Sequence, residues 1–177
     1  MTDYAKEWAK EPMRKPFVAK VVANIGVGSG GEEMNPAMKL LEKLTGKKPV
    51  QTYSKHKIPA WGLREGLPIG TKVTLRGKEA HDFLKRSLVA VEGVLKERNF
   101  DDVGNLSFGI EQYVFYEDQK YDPDIGTMGL QVSVTLQRPG FRVKTRKNKR
   151  SKIGKKHLIP KDEAITFIKE EFKATIE

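Results

Sequence analysis

Residues 125–161 contain no Asp or Glu, and the second half of this stretch, 138–161, holds eleven Lys and Arg residues. Like charges repel, so a run of one sign cannot be enclosed in an apolar core and needs either solvent around it or an anionic partner. A nucleic acid offers one charge per phosphate, and the release of its counterions gives strong, salt-sensitive binding. The run therefore favours a nucleic-acid partner. A solvated, disordered basic loop and an anionic membrane surface are the open alternatives.

Charge is distributed unevenly along the chain, which has a formal net charge of +10. Residues 43–64 contain six Lys and Arg and no acid, whereas residues 97–124 contain eight acids. A protein with one cationic binding face and an acidic face opposite would show this pattern.

The size and composition fit one soluble, intracellular domain. A chain of 177 residues can bury about two-thirds of the surface that its unfolded form exposes. Cysteine is absent, which rules out disulfides and fits a reducing compartment. No apolar run approaches the ~20 residues of a membrane-spanning helix, and the first ten residues lack the apolar centre of a secretion signal. We therefore expect a cytoplasmic protein that has no membrane partner.

Hydrophobic periodicity predicts an α+β fold with a mostly antiparallel sheet, helices packed on one face and long basic loops. Val73 and Leu75 alternate with Lys72 and Thr74, for example, which is the pattern of a half-buried strand. Strands are predicted at residues 16–27, 49–54, 71–76, 106–116 and 130–136. Helices are predicted at 35–45, with Asn35 as the cap, at 78–97 and from 160 onward.

The predicted elements belong to a single domain spanning residues 1–177, with an N-terminal extension (1–12), a basic loop (138–159) and a C-terminal helix (160–174). If helices cover one sheet face, the other face shows polar side chains. These are Lys72, Thr74, Arg76, Gln131, Ser133 and Thr135. A polar, partly basic sheet face is a suitable platform for RNA.

Three glycines match the GxGxxG pattern between a predicted strand and a predicted helix: Gly26, Gly28 and Gly31. In dinucleotide-binding folds this turn lets a pyrophosphate approach the N-terminus of the helix. Such folds place an acid at the end of the second strand, where residues 53–56 here read Tyr-Ser-Lys-His. That string would suit a phosphorylated ribose, so a small NADP-binding enzyme is one alternative. A tight turn without any ligand is the simpler explanation, and the same amides could meet an RNA phosphate.

The chain shows no convincing catalytic or metal-binding constellation. His56, His81 and His157 are scattered and lack the spacing of metal ligands. The adjacent acids at 32–33 and 101–102 resemble surface or capping charges more than a general acid and base. We therefore expect neither an enzyme nor a metal or other cofactor.

Trp61 lies in the middle of a loop rich in proline and glycine, between the two basic residues Lys57 and Arg64. An aromatic ring on such a loop can stack on a nucleobase. It can equally pin the loop to the body of the protein, and the sequence does not decide between these roles.

Five ordered motifs resemble those of a known family. They are NIGVGSGG, LEKLTGKKPVQTYSKHKI, GLREGLPIGTKVTLRG, GNLSFGIEQ, and RPGF followed by the basic run. At this spacing they resemble the large-subunit ribosomal protein family that binds 5S ribosomal RNA, the fifth in the universal series. The likeness runs from about residue 13 to the C-terminal helix. The RPGF block, the basic run and IPKDEAITFIK resemble the archaeal and eukaryotic branch.

The resemblance implies a structural role in translation. Members of the family lie in the central protuberance of the large subunit, join 5S rRNA to the large-subunit rRNA and neighbour the other 5S-binding ribosomal protein. One loop reaches the P-site tRNA, and another part forms a bridge with a protein of the small-subunit head. The basic runs alone would also allow a free-standing, non-specific RNA-binding or chaperone protein.

Matching the motifs position by position implies three groups of RNA-contacting residues. Asn24 matches the family's asparagine at the glycine turn, and Trp61 matches its loop aromatic. Lys47 replaces a glutamine, which keeps a hydrogen-bond donor but removes an acceptor. The expected 5S rRNA contacts are Asn24, Gly26, Gly28, Lys47, Lys48, Gln51, Thr52, Lys55, Trp61, Lys72, Thr74 and Arg76. The expected tRNA-contacting loop comprises Lys57, Ile58, Pro59, Ala60, Gly62, Leu63 and Arg64. Other RNA is expected at Arg142, Lys144, Arg146, Lys147, Lys149, Arg150, Lys152, Lys155 and Lys156.

Overall fold

A five-stranded antiparallel sheet organises the chain in the computed structural model, which describes residues 4–28 and 34–177. The strands are β1 (Phe17–Gly26), β2 (Val50–Tyr53), β3 (Pro68–Leu75), β4 (Val94–Leu95), β5 (Asn105–Ile110), β6 (Leu130–Gln137) and β7 (Thr175–Ile176). The helices are α1 (Tyr4–Lys10), α2 (Met34–Thr45), α3 (Lys78–Val89), α4 (Arg142–Thr145) and α5 (Lys161–Phe172). The large sheet has the order β2-β3-β1-β6-β5, and β4 and β7 form a separate parallel pair.

One face of the large sheet is covered by helices, because its strands place apolar side chains at alternate positions. Val21, Ala23 and Ile25 of β1 are buried, while the residues between them are partly exposed. The helices contribute to the same core Leu40, Leu41, Leu44, Phe83, Leu84, Leu88, Phe167 and Ile168. Each such side chain contributes about 1.5–3 kcal/mol when it leaves water. The predicted α+β class, with helices on one face of a mostly antiparallel sheet, is confirmed.

The opposite face of the sheet, called the open face below, carries a polar surface that the strand register aligns. Asn24 lies directly between Lys72 of β3 and Gln131 of β6. Residues two positions apart on one strand share a face, so the polar side chains predicted for this side lie on it together. Those that the paired strands place there are Asn24, Thr52, Lys72, Thr74, Ser107, Gln131, Ser133 and Thr135.

The helix predicted for residues 78–97 is eight residues too long. It ends at Val89, and the chain then turns through Glu92 and Gly93, both of which have positive φ. The Gly93 amide donates to the Leu88 carbonyl over 2.8 Å, which closes the last helical turn in the manner of a glycine C-cap. Leu95 is buried as predicted, but it reaches the core from β4, where it pairs with Ile176.

Several other boundaries differ from the predictions, most of them by one or two residues, and the C-terminal helix predicted for residues 160–174 spans Lys161–Phe172. The helix α2 begins at Met34, so Asn35 lies within the helix and is not its cap. The strand β5 ends at Ile110 because a 3₁₀ turn occupies Tyr113–Phe115. The strand β3 begins at Pro68, three residues earlier than predicted. The predicted turn glycine Gly31 and the acids at 32–33 lie outside the described residues.

Within the residues that the structure describes, no helix combines the length and the apolar character needed to cross a bilayer.

The basic loop is tied to the core at its far end by Gly104, which has φ +76° and lies against Ile159. A Cβ at this position would lie 2.8 Å from the Ile159 Cβ. We expect Gly104→Ala to lower the free energy of unfolding by more than about 1 kcal/mol, because both the backbone and the space oppose a side chain. Urea denaturation measures this change.

Gly154 provides the matched control for this substitution. It has φ −61°, and nothing lies within 4 Å of an added Cβ. Gly154→Ala should leave stability unchanged or raise it slightly, since it only restricts the unfolded chain. Equal midpoints for the two variants would contradict the role assigned to Gly104.

Candidate nucleic-acid interface

The open face combines exposed cationic and hydrogen-bonding side chains on a rigid support. Lys72, Thr74 and Gln131 are all exposed, and the strands beneath them are paired on both sides. Arg76 follows directly after β3 and is also exposed. Such a surface can position phosphates through its cations and contact sugars or base edges through its amides and hydroxyls.

Close backbone contact between β1 and β3 shapes one end of the open face. A Cβ on Gly70 would lie 2.7 Å from the Ile25 carbonyl oxygen, so only glycine fits there. Gly70 pairs with Gly26, which has open space above it. Asn24 and Gly26 line a groove of about 510 Å³ that extends toward Gln131 and the turn after β5. This groove leaves the backbone of the glycine end accessible to a bound ligand.

The turn between α2 and β2 presents two lysines with different surroundings. Gly46, at φ +66°, ends the helix, and Lys47 and Lys48 follow it, exposed on the surface. Lys47 forms a salt bridge with Glu79 of α3. Part of its charge is therefore already compensated, whereas Lys48 makes no such pair with any described residue.

Gln51 lies on the helix-covered side of the sheet, unlike the other residues expected to contact 5S rRNA on β2 and β3. It pairs with Thr71, which is fully buried, and its amide nitrogen lies 3.4 Å from the Met38 sulfur. Thr52, the next residue, points to the open face. The structure thus places these two neighbours on opposite sides of an edge strand.

Residues 54–67 form a narrow projecting hairpin that extends β2 and β3. Ile58 and Leu63 exchange two backbone hydrogen bonds of 3.0 and 3.1 Å, and Gly62 at φ +65° closes the tip. Trp61 lies on this tip with 73% of its surface exposed. It therefore does not pin the loop to the body of the protein, and its ring is available for stacking.

The basic segment, residues 138–159, carries nine exposed cations on a defined backbone. These are Arg142, Lys144, Arg146, Lys147, Lys149, Arg150, Lys152, Lys155 and Lys156. The short helix α4 starts the segment, and the Ser151 amide then donates to the Val143 carbonyl over 3.2 Å. This bond folds the segment back on itself, so that its cations are concentrated over a small area.

A buried charge network holds the base of the basic segment. Arg138 and Glu163 form a salt bridge with side-chain exposures of only 5% and 1%. The indole nitrogen of Trp8 donates to the other carboxylate oxygen of Glu163 over 3.1 Å. Arg138 also donates to the Lys156 carbonyl over 3.5 Å. The network therefore joins α1, α5 and both ends of the basic segment.

A histidine and a lysine complete the attachment of the segment. The His157 Nε2 atom lies 3.0 Å from the Pro139 carbonyl oxygen, and its ring packs 5.7 Å from that of Phe141. Beyond the segment, Lys161 contacts Glu97 over 2.7 Å. The hydrogen bond and charge of Lys161 lower the pKa of the Glu97 carboxyl below its ordinary value. His157 therefore contacts other residues of the basic segment.

Two acids of the acidic stretch lie on the helix-covered side of the molecule, whereas Glu111 lines the groove at the glycine end of the open face. Asp122 contacts Lys43 of α2 over 3.5 Å, and Asp118 contacts Arg86 of α3 over the same distance. Since α2 and α3 cover the core face, these acids lie beside the helices. The positions of Asp118 and Asp122 fit the predicted separation of cationic and acidic faces, and the position of Glu111 does not.

The residues predicted from the sequence are spread over several parts of the structure. Half of the expected 5S rRNA contacts lie on or at the ends of the open face, namely Asn24, Gly26, Thr52, Lys72, Thr74 and Arg76. The hairpin holds Lys55, Trp61 and the expected tRNA-contacting residues, and the basic segment lies at the opposite end of β6. Gly28, Lys47, Lys48 and Gln51 lie outside these groups. Sequence reasoning missed Trp8, Arg138 and Glu163 as a unit. Glu163 resembled an ordinary first-turn acid and Arg138 one more cation of the run, so no local signal distinguished them.

The described chain does not support the alternative of a dinucleotide-binding enzyme. Such sites lie at the carboxyl ends of parallel strands, whereas β1 runs antiparallel to both of its neighbours. No group of three or more metal-ligating side chains occurs within residues 4–28 and 34–177.

Glu163→Gln tests the buried network. Because the variant leaves the Arg138 guanidinium buried without a charge partner, we expect a loss of about 3–5 kcal/mol in the free energy of unfolding. Urea denaturation gives this value. Limited proteolysis should also cut the basic segment faster, since its base loses an anchor.

Glu170→Gln is the matched control, because Glu170 lies on the same helix but is exposed. It should change stability by less than about 0.5 kcal/mol. If the two variants unfold at the same urea concentration, the Arg138–Glu163 contact does not anchor the segment.

Two family models match consecutive parts of the chain. Residues 11–64 match the model described as ribosomal protein L5, and residues 68–167 match the model that describes the C-terminus of the same ribosomal protein family. The boundary between the two models falls in the hairpin, just before β3.

Archaeal proteins named large ribosomal subunit protein uL5 align with nearly the whole chain. That of Methanococcus maripaludis (strain C5 / ATCC BAA-1333) is 47% identical over 98% of this chain and 97% of its own length. That of Methanococcus vannielii is 48% identical over the same shares. That of Sulfurisphaera tokodaii is 49% identical over 93% of this chain and 94% of its own. The chain therefore belongs to the ribosomal protein L5 family, whose members are structural constituents of the large subunit of the cytoplasmic ribosome and not enzymes.

Proposed function

We propose that this protein binds 5S rRNA through the open face of its sheet and helps to hold that RNA in the central protuberance of the large subunit. The observation that carries the proposal is the row in which Asn24 lies between Lys72 and Gln131. Two amides and a cation in one row, with Thr74 beside them, can recognise a folded RNA by its sugars and base edges as well as by its phosphates.

The turn after α2 extends this proposed contact toward the hairpin. Lys48 and Lys55 are exposed at the two ends of β2, where they can each neutralise a phosphate. Lys47 can neutralise a phosphate only if its salt bridge with Glu79 breaks. We therefore assign Lys48 a larger share of the affinity than Lys47.

The projecting hairpin is the proposed contact with the P-site tRNA. Its two backbone hydrogen bonds between Ile58 and Leu63 hold the tip away from the sheet. Lys57 and Arg64 lie exposed on its two sides. A narrow support with a cation on each side suits a backbone contact that must form and break as tRNAs pass.

The basic segment is the proposed contact with the large-subunit rRNA. It lies at the opposite end of β6 from the glycine end of the open face, so a single protein can bridge two RNA surfaces. We also propose one domain over residues 1–177, with an N-terminal extension (1–12) whose Trp8 donates a hydrogen bond to Glu163 in the C-terminal helix (160–174). The neighbouring 5S-binding protein and a small-subunit head protein are the proposed protein partners.

A competition experiment tests the central proposal. The purified protein should select 5S rRNA over an equal mass of tRNA at about 0.2 M salt, where non-specific phosphate binding is weak. Filter binding or fluorescence anisotropy with labelled 5S rRNA measures the selection. Equal affinity for both RNAs would favour the alternative of a non-specific RNA-binding protein.

Trp61→Ala tests the hairpin contact. Since Trp61 is 73% exposed, the variant should fold normally, but loss of stacking should weaken RNA binding by about 1–3 kcal/mol. The measurement is the affinity for tRNA and for 5S rRNA, together with thermal unfolding. Phe115→Ala is the control, because Phe115 is 51% exposed within the acidic stretch. If both variants bind RNA like the unaltered protein, Trp61 does not stack on either RNA.

A further inference from the structure

The basic segment encloses a cavity that none of the proposed contacts uses. Its floor is apolar and is formed by Phe141, Ile153 and Leu158, each of which is partly exposed. The cavity measures about 520 Å³, within the range of about 300–1,000 Å³ that is usual for sites that hold small organic groups. An apolar cavity in the most highly charged part of the chain requires an explanation.

The rim of this cavity is cationic. Lys144, Arg150 and Lys152 line it and are all exposed. None of them forms a salt bridge with any residue in 4–28 or 34–177, and no acid occurs between residues 125 and 161. The occupant that fits this arrangement therefore has a flat apolar part and at least one negative charge close to it.

Contacts within the protein hold the walls of the cavity in place. The Ser151 amide donates to the Val143 carbonyl over 3.2 Å, which joins the two sides of the segment. The Phe141 ring packs on His157, whose Nε2 lies 3.0 Å from the Pro139 carbonyl. Below them, the buried Arg138 side chain donates to the Lys156 carbonyl. A preformed site of this kind avoids the entropy cost of ordering a loop on binding.

We propose that this cavity receives one unstacked nucleobase of a single-stranded RNA segment, while Lys144, Arg150 and Lys152 bind the phosphates on either side of that base. RNA proteins recognise unpaired bases by placing them against aromatic side chains and by contacting their polar edges. Phe141 supplies the aromatic ring here. The Ser151 hydroxyl, which also lines the cavity, can donate to or accept from the edge of the base.

RNA is favoured over an acidic peptide as the occupant by the surroundings of the cavity. Arg142, Lys147 and Lys149 continue the positive surface beyond its rim, and a nucleic acid presents one phosphate per nucleotide to match such a series. The inference rests on the proposed function, because it assigns the basic segment to RNA. It adds that this segment holds a base and is not only a backbone contact.

The test compares two polyanions in the full-length protein. A short oligoadenylate has phosphates and bases, whereas inorganic polyphosphate has phosphates alone. Ile153→Ala removes part of the cavity floor, and Ile153→Trp fills the cavity, and both variants keep every cation. Both should weaken oligoadenylate binding roughly 5-fold or more and leave polyphosphate binding and the salt slope of either ligand unchanged.

Val143→Ala is the matched control, because Val143 is a partly exposed apolar residue of the same segment that does not line the cavity. It should bind both polyanions like the unaltered protein. The inference is overturned if the Ile153 variants bind oligoadenylate normally, if they lose both ligands equally, or if a polyglutamate peptide shows the same Ile153-dependent loss.

The outcome is separable from that of the central proposal. Selection of 5S rRNA over tRNA depends on the open face, which Ile153 does not contact. If the protein selects 5S rRNA over tRNA and the Ile153 variants bind oligoadenylate normally, only the proposal of a base-binding cavity is contradicted. If the protein does not select 5S rRNA over tRNA but the Ile153 variants still lose oligoadenylate binding alone, the base-binding cavity is supported and the proposed 5S role is contradicted.

Discussion

The buried salt bridge between Arg138 and Glu163 is the interaction on which the arrangement of the cationic surfaces depends. Two charges leave water to form it, a cost of several kcal/mol per ion that only further hydrogen bonds can offset. Trp8 and the Lys156 carbonyl supply those bonds. The pair thus fixes the base of a segment whose cations repel one another. It connects this base to α1 through Trp8 and to α5 through Glu163.

The large sheet brings the polar residues of the open face together. Antiparallel pairing exposes one face while the helices take the apolar one, so polar residues from three strands meet in rows that no single segment could form. Asn24, Lys72 and Gln131 are distant in sequence and adjacent in space. Asp118 and Asp122 lie beside α2 and α3, on the helix-covered side of the sheet and away from the open face.

Local pattern predicted most of the fold, and non-local contacts account for what it missed. Strict alternation in β3 and β6 identified their faces correctly. The apolar pattern continues past Val89 in the sequence because Val91 packs against the core from the turn after α3, and Leu95 is buried in β4. Trp61 could not be assigned from the sequence, since exposure is a property of the folded hairpin. The pairing of Arg138 with Glu163 could not be predicted from local sequence patterns, because 25 residues separate the two.

The position of Glu163 in the chain has a consequence for how the protein is made. Arg138 and all nine exposed cations of the basic segment emerge from the translating ribosome before the carboxylate that anchors them. Until α5 has been synthesised, the nascent polypeptide carries an unanchored polycation beside the RNA-rich surface of the particle that is producing it. Maturation of this surface is therefore a late event, and early release or truncation would yield a chain prone to indiscriminate adhesion.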